Sequence, residues 1–280
     1  TANFNQNYGL INSKIKNSNE VKKILDYCRK KKINYLDTSF SYNLSNEFIK
    51  KLNFENFRII TKIKLPKKRT KFFIENLEKK IKKELKLYKI NKFYAILFHD
   101  SKDVKSKYGN EFLKKIMNIK KIGLVDKIGI SVYETSELDL ILKRFRPDIV
   151  QFPVSIIDRR FLNKKLILKL KKMKIKIQAR SIFLQGLLLK NPNKIKSLKY
   201  NKKLYEMITS LFNWCKNKNL DLKEACLIFI KNQKNIEFLT IGIESLIQLK
   251  QNIASLQNDK NFDLSRFASN DKKIIDPRKW

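Results

Sequence analysis

The chain has 280 residues, 42% of them apolar, and its 63 lysines and arginines against 26 acidic residues give a net charge of +37. That is enough apolar material for a sizeable core, and no run approaches the roughly 20 apolar residues of a membrane span. The three cysteines, Cys28, Cys215 and Cys226, with the single histidine, make no metal-ligand spacing. They argue against a metal site and for buried, inert thiols in a reducing cytoplasm.

Charge of this sign attracts polyanions and cofactor phosphates alike. The lysines are spread over nearly every predicted helix, and no nucleic-acid recognition motif accompanies them. A solvated outer surface is the favoured explanation, and specific nucleic-acid binding is not expected. No signal peptide is visible, and a chain starting at Thr1 rather than at methionine leaves a processed or truncated start open.

In chain order, Thr1–Phe4 reads as the remnant of a first strand. Ser18–Lys32 is a helix with Val21, Ile24, Leu25 and Cys28 on one face. Strands follow at Ile33–Leu36 and Arg58–Ile63, then a helix over Thr70–Tyr88, capped by Thr70, with Phe73, Leu77, Ile81 and Leu85 recurring every fourth residue. Phe93–Phe98 is a strand ending at His99, Glu111–Lys121 a helix stopped near Gly123, Val125–Ile130 a strand and Thr135–Phe145 a helix. The strand Asp148–Phe152 follows Pro147, then come the helix Arg160–Met173 and the strand Ile175–Ala179. A longer loop around Gly186–Pro192 leads to helices at Lys202–Lys216 and Leu222–Asn232. A last strand, Ile236–Ile241, ends at Gly242 before a helix over Ser245–Leu256.

About eight strand–helix units with no linker between them predict a parallel sheet covered on its outer face. The G-x-G-x-x-G of an open dinucleotide-binding sheet is missing. The expected architecture is α/β: a single-domain (β/α)8 barrel over residues 1–280, with its first strand shortened and residues 257–280 as a C-terminal tail. Four stretches read as specificity loops: Lys102–Asn110, Ile156–Arg160, Gly186–Tyr200 and the tail after Asn258.

A parallel barrel keeps its chemistry at the carboxyl ends of its strands. Those ends hold Asp37, Lys62, His99, Ser131, Gln151, Arg180 and Gly242, and Tyr42 lies in the loop just past Asp37. Each alone has a mundane explanation as a cap, a surfacing lysine or a hydrogen-bonded core histidine. Together they suit carbonyl reduction. A phenol of pKa about 10 needs a nearby ammonium to be a useful acid at neutral pH, and a carboxylate would hold that ammonium charged. No side chain supplies hydride, so a nicotinamide cofactor is required.

Over practically its whole length the chain resembles the aldo-keto reductase family. The resemblance rests on Leu36-Asp37-Thr38-Ser39 with Tyr42, on Ile60-Thr61-Lys62 and on Phe98-His99. It continues through Gly123–Ser131, Val150-Gln151, and Gly242–Ser245 with Gln248 and Asn252. The stretches Ala179–Leu189 and Ile275–Trp280 look like a bacterial branch found among sugar and surface-polysaccharide genes.

The resemblance implies a tetrad of Asp37, Tyr42, Lys62 and His99, in which Tyr42 donates the proton and Lys62 lowers its pKa. Asp37 would pair with Lys62, and His99 would orient the carbonyl of a small-molecule substrate. It implies an extended NADPH, with NAD as the alternative. Ser131 and Gln151 would hold the nicotinamide carboxamide, and Arg180 would take the place of a stacking aromatic. The segment with Ser181, Phe183, Gln185, Gly186 and Leu187 would meet the pyrophosphate. Gly242, Ser245, Gln248 and Asn252 would grip the adenosine end.

Several positions depart from the family pattern. Asn43-Leu44-Ser45-Asn46 follows the tyrosine, with Glu47 one place late for the usual glutamate. Asn5 stands where glycine is common, Val132 replaces an asparagine, and Arg180 brings a charge. The alternatives to a reductase are a cofactor-binding regulatory barrel without turnover and, less favoured, a basic binder of nucleic acid or an anionic surface.

Overall fold

The computed structural model of the protein describes residues 17–42, 45–194 and 201–279. The predicted strand Thr1–Phe4, Asn5, and Asn43 with Leu44 after the tyrosine lie outside them.

Seven strands form one parallel sheet in strictly sequential order: β1 (Tyr35–Asp37), β2 (Arg58–Ile63), β3 (Phe93–Phe98), β4 (Val125–Ser131), β5 (Ile149–Pro153), β6 (Lys176–Arg180) and β7 (Phe238–Leu239). β2 to β6 are buried along nearly their whole length, as strands covered on both faces must be. At Gly129 on β4 a Cβ would sit 2.5 Å from the Ile149 carbonyl oxygen, so glycine lets β4 and β5 approach.

The sheet curls. β1 and β7 face one another across a cleft of about 500 Å³ lined by Leu36, Asp37, Gln178, Leu239, Ile241 and Asn252. At the other end, Tyr35 from β1 packs edge-on against Phe238 from β7 at 4.9 Å and Tyr94 from β3 at 5.0 Å. Arg58 stands 5.6 Å over the Tyr35 ring and donates to its hydroxyl at 2.9 Å. These rings floor an inner core of Ile60, Ala95, Leu97 and Ile149.

Helices cover the outside: α1 (Ser18–Lys30), α2 (Asn46–Lys50), α3 (Thr70–Glu75), α4 (Leu77–Tyr88), α5 (Ser101–Lys105), α6 (Gly109–Lys121), α7 (Thr135–Leu142), α8 (Lys164–Lys172), α9 (Lys202–Asn217), α10 (Leu222–Lys231), α11 (Leu246–Leu256) and α12 (Lys272–Ile275). Each longer helix turns an apolar stripe to the sheet, as α1 does with Val21, Ile24, Leu25 and Cys28 and α4 with Leu77, Ile81, Leu85 and Tyr88.

Several boundaries differ from the sequence reading. Thr70–Tyr88 is two helices, broken at Asn76, whose φ of −91° and ψ of 6° end the first. Thr70 is not its cap. Arg69 occupies that position at φ 52°, and the Thr70 hydroxyl donates to the Pro66 carbonyl at 2.9 Å. The predicted helix from Arg160 begins only at Lys164, capped by the Asn163 side chain, because Arg160 is held back by Asp158. The predicted helix to Phe145 stops at Leu142. The last strand shrinks to Phe238–Leu239, and the loop Lys102–Asn110 contains α5 and the start of α6.

The tail packs on the barrel rather than trailing from it. Leu264, Phe267, Ile274 and Ile275 are buried, Arg159 bonds to the Leu264 carbonyl, and the Ser269 amide donates to the Ile157 carbonyl at 2.9 Å.

Candidate active site

β1 ends on Asp37, whose carboxylate faces the barrel's interior. Asp37 forms an ion pair with Lys62 Nζ, which leaves β2 one strand over and is 3% exposed. The ammonium also donates to the Thr38 carbonyl at 2.8 Å. Burial pushes the Lys62 pKa below the usual lysine range, and Asp37 opposes that shift. A buried ion pair of this kind survives only with its remaining lone pairs satisfied. The second carboxylate oxygen of Asp37 accepts from Gln151 Nε2 at 2.8 Å and from Gln178 Nε2 at 3.1 Å.

Those two glutamines are register partners on β5 and β6. Sequence reasoning assigned Gln151 to a cofactor and overlooked Gln178. The signal was present in Lys176–Arg180: a glutamine amid apolar neighbours at an inward position of a buried strand must bond to something. Gln178 Nε2 also contacts Thr240 Oγ1 at 2.7 Å. Gln151 Oε1 and Gln178 Oε1 are buried with no hydrogen-bond partner.

Tyr42 follows a tight turn in which its amide donates to the Ser39 carbonyl at 3.0 Å. The turn sets the Tyr42 ring centroid 5.7 Å from Lys62 Nζ. His99 sits past β3, anchored by its amide to the Ile63 carbonyl at 2.9 Å. Its Nδ1 lies 3.4 Å from the buried Ser39 hydroxyl. Burial first, then the nearby charges of Lys62, Lys64 and Arg180, lower the imidazole pKa to about 4. His99 is therefore neutral at physiological pH and offers one N–H donor. Four predicted residues from three strand ends are thus neighbours: an ion pair, a phenol and a neutral imidazole.

Ser131 and Gln151 pair across β4 and β5, both buried. Arg180 ends β6, donating to Ser181 Oγ and to the Val132 carbonyl at 3.3 Å each. The segment after it is tightly wound, with Ser181, Gln185 and Gly186 all at positive φ. Phe183 and Leu187 are buried in the core; the Phe183 carbonyl already accepts from the amides of Gly186 and Leu188, and the Leu187 carbonyl from that of Lys190. Ser245 caps α11 by accepting from the Gln248 amide at 3.1 Å, and Gln248 Oε1 accepts from the Glu244 amide at 2.7 Å. Gly242 is exposed, and Asn252 is buried with Oδ1 unpartnered. Among the described residues no cluster of three or more histidines, cysteines or acids could hold a metal.

The family model for the aldo/keto reductase family matches residues 1–275. Among solved structures, the holo form of an aldo-keto reductase from Bacillus halodurans superposes with a TM-score of 0.74 at 17% identity, covering 94% of this chain and 91% of that one. Its apo form gives 0.72 at 18% identity, with the same coverage of each. A glycerol dehydrogenase from Gluconobacter oxydans gives 0.68 at 14% identity, covering 92% of this chain and 86% of that one. At these identities the likeness speaks for the fold. No curated protein sequence matches the chain. The family match over nearly the full length decides the assignment: the chain belongs to the aldo/keto reductase family, oxidoreductases that reduce carbonyl groups with a nicotinamide cofactor.

Proposed function

We propose that the protein is an NADPH-dependent reductase of an aldehyde, ketone or sugar carbonyl, with Tyr42 as the proton donor. The observation that carries this reading is the buried Lys62–Asp37 ion pair beside the Tyr42 ring. An ammonium fixed there stabilises phenolate and brings the phenol's pKa, ordinarily about 10, closer to neutrality. Asp37 keeps the lysine charged despite its burial, and neutral His99 donates to the substrate oxygen as Tyr42 delivers its proton.

When bound, the nicotinamide supplies the hydride. The residues present fit it: Gln151 Oε1 is a buried acceptor without a donor, beside Ser131, and suits a carboxamide N–H. The backbone of Ser181–Leu187 with its Gln185 side chain, and Gly242, Ser245, Gln248 and Asn252, are the proposed grip on the remainder of the dinucleotide. NADH is the alternative, which parallel titration of both dinucleotides separates.

We also read residues 1–280 as one barrel domain with a packed tail. Supporting this reading, seven parallel strands follow one another in sequential order, and β1 and β7 line the two sides of one apolar cleft. A cytoplasmic location fits three buried free thiols, each with its pKa raised by burial. Among the described residues no helix is long and apolar enough to cross a membrane.

The test is a screen of aldehydes, ketones and sugars for NADPH oxidation by wild type and Tyr42→Phe. Loss of the general acid should lower kcat by about 10²–10⁴-fold, with the NADPH dissociation constant nearly unchanged. Turnover in Tyr42→Phe equal to wild type would refute the proposed role of the phenol.

A further inference from the structure

The mouth of the barrel holds a cation that the tetrad does not account for. At this end the described acids already have partners. Lys62 takes Asp37, and Lys64 takes Asp100 at 3.4 Å. Arg160 takes Asp158 at 2.9 Å, Arg278 takes Asp276 at 2.5 Å, and Glu134 is shared among Arg160, Lys272 and Arg278. Arg180 has no carboxylate partner among the described residues. Its two hydrogen bonds go to a hydroxyl and a carbonyl, which leaves most of its donor fork unused within the protein.

A half-buried guanidinium with no direct ion pair, and only the charge of Asp158 in its neighbourhood, is costly, yet this one is held firmly. Its carbon lies 4.1 Å from the centroid of Tyr133, a ring that Arg278 from the tail also meets at 4.0 Å. Stacking of this kind fixes the plane of the fork, which matches the oxygens of a carboxylate or phosphate. The fork also lies close to the reacting groups, since its charge bears on both Lys62 and His99.

We propose that Arg180 is the anion-recognition residue of the substrate pocket, and that the natural substrate is a carbonyl compound carrying a carboxylate or phosphate group. This rests on reading the site as a carbonyl reductase. Tyr133 and the tail residue Arg278 act as positioning residues that hold the Arg180 plane. The competing anion is the dinucleotide's own phosphate.

The experiment compares kcat/KM, at saturating NADPH, for succinic semialdehyde against butanal and for glyceraldehyde 3-phosphate against glyceraldehyde. Wild type should favour the charged member of at least one pair by about tenfold or more, and the pair that does so separates carboxylate from phosphate. Arg180→Met should bring that ratio close to unity, and Arg180→Lys should restore part of it. Because each ratio is taken within one protein, a change in cofactor affinity cancels.

A wild-type ratio near unity in both pairs overturns the proposal without need of any variant. So does a ratio unchanged in Arg180→Met, and if NADPH affinity falls at the same time Arg180 serves the cofactor. Calorimetric titration of the NADPH-loaded protein with succinate and with inorganic phosphate separates the two readings. Anion binding that is lost in Arg180→Met, with no carbonyl reduced, would sink the reductase reading and leave the anion site standing. Absence of both would sink the anion site too.

Discussion

Gln178 Nε2 lies 3.1 Å from Asp37 Oδ2, across 141 residues of sequence. The contact joins β6 to β1 through the barrel's interior and gives the carboxylate a second amide donor beside Gln151. Asp37 is thus anchored from β2, β5 and β6 at once, and its orientation toward Lys62 is set by three strands.

Replacing that amide should loosen the acid without removing it. Gln178→Leu is expected to cost about 1–3 kcal/mol, the penalty of removing a hydrogen bond to a partly buried charged group. It should lower kcat while leaving the NADPH dissociation constant unchanged. Urea denaturation and steady-state kinetics on the same preparation read both effects, and full activity in the variant would show that Asp37 is held well enough without Gln178.

His99 is the chain's only histidine, so its ring protons are unambiguous in an NMR titration. With the imidazole pKa at about 4, its signals should stay flat from pH 8 to about 5.5, where an unperturbed histidine of pKa about 6.5 would titrate. A midpoint above 6 would contradict the burial and the surrounding charge.

The same depression carries a stability consequence. Between its unfolded value of about 6.5 and its folded value of about 4, the unfolded chain binds the proton and the folded chain does not. The contribution is fully present above pH 6.5 and is lost as pH falls toward 4, by at most about 3 kcal/mol. Wild type and His99→Gln should therefore differ in their slope of unfolding free energy against pH within that window. Parallel curves would contradict the linkage.

Removing one member of the buried pair strands the other. Lys62→Met is expected to destabilise by about 3–5 kcal/mol and to abolish turnover. The double variant Asp37→Leu with Lys62→Met should recover part of the stability and none of the activity. Additive losses on denaturant unfolding would mean that the two charges do not depend on one another.

That Asp37, Tyr42, Lys62 and His99 lie near one another is legible because each ends, or shortly follows, a short apolar run, and a parallel barrel gathers such ends on one face. What stayed illegible needed the third dimension. Gln178 finds its acid only when the sheet curls, and Arg160 abandons a helical pattern because Asp158 and Glu134 claim its guanidinium. The break at Asn76 is another such case: the four-residue apolar period runs straight through it, and backbone geometry rather than hydrophobic pattern ends α3. Arg278 looked like the end of a tail and stands over Tyr133 at the pocket wall.

The rings of Tyr35, Tyr94 and Phe238 stopper the barrel at the end away from the tetrad, with Arg58 laid across them. Among the described residues that leaves two approaches to Asp37, the mouth and the apolar cleft between β1 and β7. A charged dinucleotide and a polar substrate suit the mouth rather than the apolar cleft, and if they share it, whichever sits outermost decides what leaves next. Arg180, Tyr133 and Arg278 of the packed tail stand together there, so the side chains proposed to choose the substrate would also set the order of traffic.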